Sequence, residues 1–591
     1  MRITEVWIKG FRSLGEVSVN VADYSSLIGP NDSGKSSFLH ALHILFDKDR
    51  VPNEADICKV AAYAGETFVE ATLANCVGHE DLAIDGRIRL RRICRERGWN
   101  WEVMRQVPKH QILKKMQDDT LTRTEWGSVD SVPDPVKSVA NDALNRLAPK
   151  GKVPSGIWRV IFQELADNAL VDWEPGWAPL DKERLSSLVT VVILEADMRG
   201  EEELADGARS VFSRVGGLLL CNATKGYPDL NEAVTQLNQV VQRLATADEE
   251  GNWPVPAVND FRRVMREEIE RFDGSISTHA TVFPPKIPAL EFNVKVEVSD
   301  QWIKGIDRMG HGLRRSVVFA MLRAHRRIQG NGLHVQEGQK PACVPLYLFL
   351  VEEPELYLHP QAERRRMEEL QELAATDGTQ VILCTHSAIF VDLRDYKGIL
   401  RFERPSRNMS CIRSWTGDAL DSNDQKLLAM TYQFHERRAA MLFAKHVVLV
   451  EGQTEKIMLP ILARRLGCYD PDVEVVDCGG QLNVPVFQRI LEGFGLRYVV
   501  WMDRDDRIAI RKPGKTNAVS VKAIGAVRKA ITPALGRMIV LADHWESMTG
   551  VPDGTKPYNS WRYFVEEDHG ITPQCEAKLR AAFAWEEHED P

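Results

Sequence analysis

The chain has 591 residues, more than one hydrophobic core usually supports, which predicts about two to four domains. Its net charge of −9 argues against a protein that coats DNA with a basic surface, and its 44% apolar content is ordinary for a globular protein. The 10 cysteines form no C-x-x-C pair or Cys/His ladder, so the sequence indicates neither a zinc ribbon nor a disulfide framework. Reduced thiols and the lack of an apolar leader or membrane-length stretch predict a cytoplasmic protein without a membrane anchor.

A phosphate-binding loop follows the first strands. Residues Gly29 to Ser36 match G-x-x-x-x-G-K-[ST], with a β-rich stretch over Val17 to Ile28 before them and apolar residues at helical spacing after them. Backbone N–H groups of such a loop bind phosphate oxygens at a helix N-terminus. Lys35 is expected to reach the β- and γ-phosphates of ATP, and Ser36 to ligate Mg²⁺. The predicted nucleotide-binding residues of this loop are Asn31, Gly34, Lys35, Ser36 and Ser37.

An arginine-rich run covers Arg87 to Arg97, where alternation puts several arginines on one face of a strand. Two interpretations stay open. The run is either an edge strand with a solvated face or a strand that contacts phosphates. Charge runs are common on exposed faces, so the solvated edge strand is the favoured interpretation.

Helical spacing dominates the next region. Apolar residues recur at helical intervals over Gly156 to Leu170, Leu230 to Ala245 and Ala257 to Phe272, and breaks such as Trp173 to Trp177 separate such stretches. No heptad pattern persists long enough for a long coiled-coil arm. We therefore expect a compact helical insert, after which a strand over Leu290 to Val298 begins the next lobe.

Two further strands end in polar groups. Residues Pro345 to Val351 are mostly apolar, as in a strand buried within a parallel sheet, and two glutamates follow them. We expect Glu352 to hold the Mg²⁺ shell and Glu353 to polarise the attacking water as general base. The strand Gln380 to Cys384 leads to His386, which is expected to donate to the γ-phosphate.

Carboxylates end two strands in the last third of the chain. Glu451 follows an apolar strand, and Glu455 lies about one helical turn further on. Asp503 and Asp505 end a second apolar strand, where residues i and i+2 share a face. Four acids at one sheet edge repel one another unless a cation neutralises them, and oxygen ligands suit Mg²⁺ or Mn²⁺. Phosphodiester chemistry is therefore the leading hypothesis.

The P-loop, the acidic strand and the histidine together resemble the ABC-type ATPase head of SMC and RecF proteins. The resemblance includes Gly10 to Ser13 and Leu358 to Pro360. In that family a signature loop of one subunit closes on the ATP of another, and the matching position is Met309 to Leu313, which implies that Gly310 and Gly312 contact nucleotide. The sequence departs from the family in lacking a literal Ser-Gly-Gly signature and in starting its acidic pair with glutamate.

The carboxylate region resembles a Toprim domain, because a strand ending in Glu, a helix, the Gly479-Gly480 turn and a strand ending in Asp-x-Asp follow in order. An ABC head followed by Toprim is the layout of the OLD (overcoming lysogenization defect) family of ATP-dependent endonucleases, which includes the nuclease subunit of Gabija phage defence. The resemblance implies DNA as substrate, a role in anti-phage defence, a homodimer or higher homo-oligomer, and a helicase partner.

The resemblance also implies roles at the metal site. One metal ion would be held by Glu451, Asp503 and Asp505, with Glu455 helping to hold a second. OLD-type sites use a late acid and a lysine as well. The residues implied for these two roles are Glu546 and Lys556.

These features predict an α/β fold: a split ABC-type ATPase head with a helical insert, followed by a C-terminal, Rossmann-like Toprim domain. The expected limits are 1–101 for the N-terminal ATPase lobe, 102–285 for the insert and dimerisation domain, 286–410 for the C-terminal ATPase lobe, 411–440 for a linker and 441–591 for Toprim.

The expected function is a nucleotide-regulated, metal-dependent DNA endonuclease. One alternative is a structural SMC- or RecF-like DNA-binding ATPase in repair with a non-cleaving Toprim module. Another is a primase or topoisomerase, but a primase typically brings a zinc module that this cysteine pattern lacks. Residues alone do not indicate whether ATP licenses or restrains cutting.

Overall fold

The described part of the chain contains three β-sheets. The computed structural model describes residues 1–60, 67–95, 98–127, 132–148, 153, 156–196, 345–406, 409–415, 422, 426, 436–503, 518–541, 545–552, 557–586 and 588–589. Its strands are β1 (Arg2–Phe11), β2 (Leu14–Asn20), β3 (Tyr24–Ile28), β4 (Thr67–Ala74), β5 (Arg87–Arg95), β6 (Gly98–Pro108), β7 (Trp173–Pro179), β8 (Val189–Leu194), β9 (Leu346–Glu352), β10 (Thr379–Cys384), β11 (Ile399–Ser406), β12 (Met409–Arg413), β13 (His446–Val450), β14 (Val473–Asp477), β15 (Arg497–Asp503), β16 (Gly536–Leu541) and β17 (His588–Glu589).

Helices cover these sheets, which confirms the predicted α/β class. The α-helices are α1 (Lys35–Phe46), α2 (Gln111–Gln117), α3 (Arg123–Gly127), α4 (Asp134–Leu147), α5 (Ile157–Asp167), α6 (Lys182–Leu188), α7 (Pro360–Ala374), α8 (Gln453–Arg465), α9 (Val484–Gly493), α10 (Ala518–Ala530), α11 (Trp545–Thr549), α12 (Tyr558–Trp561) and α13 (Pro573–Ala584). Among the helices that can be described, none combines the length and the apolar character that a membrane crossing requires.

The first sheet is antiparallel, with strand order β2-β1-β4-β5-β6-β7. The arginine-rich β5 lies inside this sheet between β4 and β6, so the prediction of an edge strand is wrong. Its arginines are compensated by glutamates of the neighbouring strands. Arg89 Nε donates to Glu70 at 3.0 Å, and Arg91 Nε donates to Glu102 at 2.9 Å. Cross-strand charge pairing of this kind lets a basic strand occupy an interior position.

The second sheet has the order β12-β11-β3-β10-β9-β8 and is parallel except for β12. Every residue of β3, β9 and β10 is buried, as the apolar runs predict for strands covered on both faces. Because β3 pairs with β10 and β10 with β9, the carboxyl ends of the three strands meet at one edge. This edge carries the P-loop, the acidic pair and the histidine.

The third sheet is wholly parallel, with the order β14-β13-β15-β16-β17. Both β13 and β15 are adjacent and almost entirely buried, in agreement with their apolar sequences. Helices such as α8, α9 and α13 connect or cover the strands. This is the Rossmann-like arrangement that the sequence predicts, and it brings the ends of β13 and β15 together.

The described part of the expected insert is not helical throughout. Helices α2 to α5 lie between residues 111 and 167, and α5 matches the predicted periodicity. However, β6 continues to Pro108, β7 completes the first sheet and β8 is an edge of the second. The predicted break at Pro175 and Gly176 is wrong, because both residues pair with β6 as part of β7, an edge strand, and an edge strand tolerates proline. The stretches 230–245, 257–272 and 290–298 lie outside the described residues.

Contacts join the second sheet to the third. The buried Arg401 of β11 donates from Nε to the carbonyl of Leu442 at 2.9 Å and from a terminal nitrogen to that of Ala444 at 3.4 Å. Just beyond β12, the ring of Trp415 lies 5.8 Å from that of Phe494, between α9 and β15. The region expected to be a linker therefore begins with a packed aromatic contact.

Candidate functional site

A cavity of about 640 Å³ lies at the carboxyl edge of the second sheet, within the usual size range of ligand pockets. It collects side chains that are far apart in sequence. Its lining residues are Arg12, Ser13, Asn31, Asp32, Ser33, Gly34, Lys35, Ser36, Ser37, Glu353, Cys384, His386 and Arg404. The cavity thus unites the five predicted P-loop residues with Glu353 and His386. The predicted signature glycines, Gly310 and Gly312, lie outside the described residues.

The P-loop is closely packed around Gly34, the residue directly before α1. Its φ of 102° lies in the left-handed region, and a Cβ there would lie 2.4 Å from Oγ of Ser410 on β12. Lys35 Nζ donates to the carbonyls of Gly29 at 2.9 Å and Pro30 at 2.7 Å. Burial lowers the pKa of Lys35, while the negative charge of neighbouring groups such as Glu353 acts in the opposite direction. The ammonium group of Lys35 therefore binds carbonyl oxygens of its own loop in this structure.

Glu352, the last residue of β9, and Glu353, the residue after it, have different neighbours. Glu353 lines the cavity, and its backbone has a φ of 43°, which is uncommon for a non-glycine residue. Glu352 is buried, accepts a hydrogen bond from the backbone N–H of Ala196 at 3.3 Å, and lies 3.9 Å from Nε2 of His40. In this structure Glu353 lies with the P-loop, whereas the carboxylate of Glu352 contacts the end of β8 and α1.

His386 lies across the cavity from the P-loop, with Nε2 at 4.0 Å from Oε1 of Glu353. Burial lowers its pKa, with a further contribution from the positive charge of Lys35. Glu355 anchors this corner, because it accepts from the backbone N–H of His386 at 2.6 Å and from Thr385 Oγ1 at 2.9 Å. Burial raises the pKa of Glu355. No role for Glu355 was predicted, although its place two residues after Glu353 was a signal.

No role was predicted for two arginines of the cavity, although Arg12 lies in the segment Gly10 to Ser13 that carries the resemblance to ABC-type heads. Arg12 is held in place by Asp56, whose Oδ1 accepts from its Nε at 3.0 Å and lies 2.9 Å from a terminal nitrogen. Arg404, on β11, donates to the carbonyl of Asp32 in the P-loop at 3.3 Å. Nothing in the local sequence around Arg404 indicates this position, because it depends on β11 lying beside β3.

A second group of predicted residues meets at the carboxyl edge of the third sheet. Glu451 directly follows β13, and Asp503 is the last residue of β15. The backbone N–H of Asp503 donates to Oε1 of Glu451 at 2.8 Å, so the structure brings these two acids together. Glu455 is buried in the first turn of α8, next to the same strand end.

Further along the chain, the helix α11 contacts the carboxyl edge of the third sheet. The backbone N–H of Trp545 donates to Oδ2 of Asp503 at 3.2 Å, and the next residue, Glu546, is buried. The late acid therefore lies on an element that contacts Asp503. Asp505 and Lys556 lie outside the described residues.

The donor set fits a divalent cation of the Mg²⁺ type, since the acids at this edge offer only carboxylate oxygens. Among the residues whose positions are described, no three His, Cys, Asp or Glu side chains form a group that could hold a metal ion. The predicted first ligand set is not complete within that part of the chain, because it includes Asp505.

Two family models match the chain. The AAA ATPase domain matches residues 1–91 and 221–391, which include the P-loop, the acidic pair and His386. The TOPRIM domain of overcoming lysogenization defect protein-like proteins matches residues 442–505, which include four of the predicted carboxylates. The first model therefore covers the P-loop site, and the second covers the strand ends that carry the four acids.

Two curated relatives are named as nucleases. The OLD nuclease of Thermus scotoductus is 33% identical over 306 residues, which are 49% of this chain and 54% of that protein. The Old nuclease of Escherichia phage P2 is 21% identical over 524 residues, which are 85% of this chain and 77% of that protein. The chain thus spans about half the length of the first relative.

Among solved structures, the SMC head domain from Thermotoga maritima is 13% identical and covers 70% of this chain and 99% of that chain, with a TM-score of 0.28. That score is too low to support a common fold. The assignment rests on the two family matches and the curated relatives. The chain carries an AAA ATPase domain and an OLD-like Toprim domain and is similar to two OLD nucleases.

Proposed function

We propose that the chain is a nucleotide-regulated DNA endonuclease that hydrolyses phosphodiesters with the help of divalent metal ions, Mg²⁺ or Mn²⁺. The observation that carries this proposal is the hydrogen bond between the backbone of Asp503 and the carboxylate of Glu451. It joins two acids at the carboxyl edge of a parallel sheet, where ligands of such sheets usually bind. The curated relatives named as nucleases support the same reading.

In the proposed site, Glu451, Asp503 and Asp505 hold one metal ion and Glu455 helps to hold a second. Glu546 belongs to the ligand set as well. A bound pair of ions would clamp the attacking and leaving oxygens of the phosphodiester. Asp503 is fixed from both sides, by its own N–H on Glu451 and by the N–H of α11 on its carboxylate.

Lys556 has a different role in the proposal. A lysine near the reacting phosphate offsets the negative charge that develops in the transition state. Its ammonium group would also help to bind the DNA backbone, because phosphates attract cationic side chains.

The cavity at the second sheet is the proposed ATP site. Lys35 would exchange the carbonyls of Gly29 and Pro30 for phosphate oxygens, and Ser36 would ligate Mg²⁺. Glu353 would act as general base and His386 would donate to the γ-phosphate. Glu352 would reach the Mg²⁺ shell through water, because its carboxylate is engaged by the backbone of Ala196.

Nucleotide regulation requires a connection between the two sites, and the hairpin of β11 and β12 supplies one. At one end, Ser410 donates from its backbone N–H to the carbonyl of Ser13 at 2.9 Å, and its Oγ donates to Ser13 Oγ at 2.9 Å. Both serines crowd Gly34. Because Trp415 at the other end packs on Phe494, a shift of the P-loop would be carried to the third sheet.

The remaining parts of the proposal concern assembly and biology. Two copies would close over ATP, with Gly310 and Gly312 of one copy contacting the nucleotide of the other. The insert would add a dimerisation surface. We place the enzyme in the cytoplasm, in anti-phage defence, with a helicase encoded separately as its partner. These points rest on the resemblance to the OLD and Gabija proteins.

The proposal is tested with purified protein and supercoiled plasmid, in Mg²⁺ or Mn²⁺, with and without ATP. We expect metal-dependent nicking by the wild type, none by Asp503→Ala, and an altered ATP response with intact metal-dependent chemistry in Lys35→Ala. Asp167→Ala, at an exposed position of α5, is the matched control and should cleave like the wild type. Cleavage by Asp503→Ala would overturn the site assignment. DNA binding and ATP hydrolysis without cleavage by the wild type would favour the structural ATPase instead.

A further inference from the structure

The carboxylate of Glu451 accepts a hydrogen bond from the backbone of Asp503, and a metal ligand is usually also supported by residues outside the ligand set. A glutamate side chain has several rotatable bonds, and a metal ligand works well only when neighbouring groups fix its orientation. Like charges at this edge add repulsion that turns the acids away from one another when no cation lies between them. A neutral donor next to Glu451 would solve both problems.

Gln481 is such a donor. It begins the short 3-10 turn Gln481–Asn483, between β14 and α9, and is half-buried. Its Nε2 donates to Oε1 of Glu451 at 2.9 Å and also contacts the carbonyl oxygen of Asp503 at 3.3 Å. One amide group therefore bridges the ends of β13 and β15.

The backbone around Gln481 is fixed relative to Glu451. The N–H of Gly480 donates to the Glu451 carbonyl at 2.8 Å, and the N–H of Gly479 donates to Asp477 Oδ1 at 2.7 Å. Asn483 Nδ2 holds the other end of the turn through the carbonyl of Cys478 at 3.0 Å. The amide of Gln481 thus starts from an anchored position.

The chemistry of an amide suits this place. A lysine or arginine would neutralise the carboxylates by itself and would compete with a divalent cation for them. The Gln481 amide carries no charge, so it orients Glu451 and leaves the full negative charge for the metal. Two N–H donors, from Asp503 and Gln481, converge on the same oxygen, Oε1, and so restrain the rotation of the carboxylate.

We infer that Gln481 is a positioning residue that orients the metal ligand Glu451 through an amide bridge between the ends of β13 and β15. The inference rests on the proposed metal site of the Toprim domain. It assigns a function to the turn after the Gly479-Gly480 pair, which connects β14 and α9.

The test is a Mn²⁺ titration of the full chain without DNA, in which electron paramagnetic resonance reports the unbound ion. Gln481→Leu and Gln481→Met remove the donor and keep a similar size. We expect the Kd for Mn²⁺ to rise about tenfold in both, as for other residues that orient metal ligands. Leu482→Ala, at the neighbouring exposed position, is the control and should bind like the wild type.

Cleavage assays add a second measurement. The Mg²⁺ concentration that gives half-maximal cleavage should rise in both Gln481 variants, while the rate at saturating Mg²⁺ should fall by a smaller factor. A purely structural defect would lower the rate at every Mg²⁺ concentration. Equal losses at low and saturating Mg²⁺, with unchanged Mn²⁺ binding, would overturn the inference.

Asp503→Ala in the same titration separates this inference from the proposed function. If Asp503→Ala weakens Mn²⁺ binding and both Gln481 variants bind like the wild type, the positioning role is wrong while the site stands. If Asp503→Ala binds Mn²⁺ like the wild type, the proposed metal site itself is wrong and the inference falls with it.

Discussion

The indole ring of Trp415 occupies the space that a side chain at Gly493 would need: a Cβ on Gly493 would lie 2.4 Å from Cζ3 of the ring. Trp415 follows the last strand of the ATPase sheet, and Gly493 ends a helix of the Toprim domain. The ring also lies 4.5 Å from that of Tyr396. Glycine at 493 is therefore required by close packing between the two domains.

Gly493→Ala should displace Trp415 and loosen this contact. We expect a loss of about 1–3 kcal/mol in the free energy of unfolding, the usual cost of overpacking a well-filled core. The effect of ATP on cleavage should also weaken, because the contact lies on the proposed connection between the sites. Denaturant unfolding and the plasmid assay measure the two effects.

Gly525→Ala is the matched control for that substitution. Gly525 lies within α10, and a Cβ there would meet no atom within 4 Å. Alanine should stabilise this helix by up to about 1 kcal/mol. Equal stability changes in the two variants would contradict the packing role of Trp415.

Gly34→Ala should abolish most nucleotide binding. The substitution forces a Cβ to within 2.4 Å of Ser410 Oγ at a φ of 102°, so the P-loop must shift. Gly98 has a similar φ of 106° but open space around the Cβ position, so Gly98→Ala controls for backbone strain alone. We expect the Kd for a fluorescent ATP analogue to rise at least about tenfold, or ~1.4 kcal/mol, in Gly34→Ala only. Equal binding by both variants would show that the loop adapts.

Glu546→Gln should separate two effects of this buried acid, namely its effect on the stability of the metal-free protein and its proposed contribution to metal binding. Glu546 is buried and directly follows Trp545, whose backbone N–H donates to Asp503, and burial disfavours the charged form of a carboxyl group. The amide should raise the free energy of unfolding of the metal-free protein by on the order of 1 kcal/mol. It should also reduce the rise in Tm that Mn²⁺ produces.

Calorimetry with and without Mn²⁺ measures both effects of the Glu546 substitution. The control is Glu576→Gln, on the exposed side of α13. A larger metal-induced rise would count against Glu546 as a ligand.

The buried His446 should make stability depend on pH. Burial lowers its pKa below the usual 6.5, although the contact between Nε2 and the carbonyl of Ala582 opposes this. The unfolded chain therefore takes up this proton first as the pH falls. The contribution of His446 to stability is full above pH ~6.5 and declines below it.

The variant His446→Gln removes that titration. Between pH 7 and 5 its Tm should fall less steeply than that of the wild type, whereas His359→Gln, at an exposed position, should follow the wild-type slope. Parallel slopes for the wild type and His446→Gln would refute the assignment.

Much of the geometry at the two candidate sites could be predicted from the sequence, because the informative signals are local. The P-loop pattern predicts Lys35 and Ser36 at a helix start, and the apolar run before Glu352 predicts β9. Likewise, the spacing of Glu451 and Asp503 predicts their common edge, since parallel strands present their carboxyl ends together.

Contacts between distant segments could not be predicted in this way. Ser410 reaches Ser13 across 397 positions, and this contact depends on β12 folding over the P-loop. The strand β7 was missed because its Pro and Gly residues have the local signature of a break, while its pairing partner β6 lies far away in sequence. Gln481 has no motif of its own, and its importance appears only when β13 and β15 lie side by side.

The position of β3 also sets an order on folding. This strand ends at Ile28, yet its two neighbours, β10 and β11, begin only at Thr379 and Ile399. Closing so long a loop is entropically costly, and contacts between distant segments form slowly. During synthesis β3 therefore cannot pair with β10 and β11 until the chain has been made beyond β11. Asp503 emerges later still, so on a growing chain the sheet that carries the P-loop can close before the carboxylate edge of the third sheet exists.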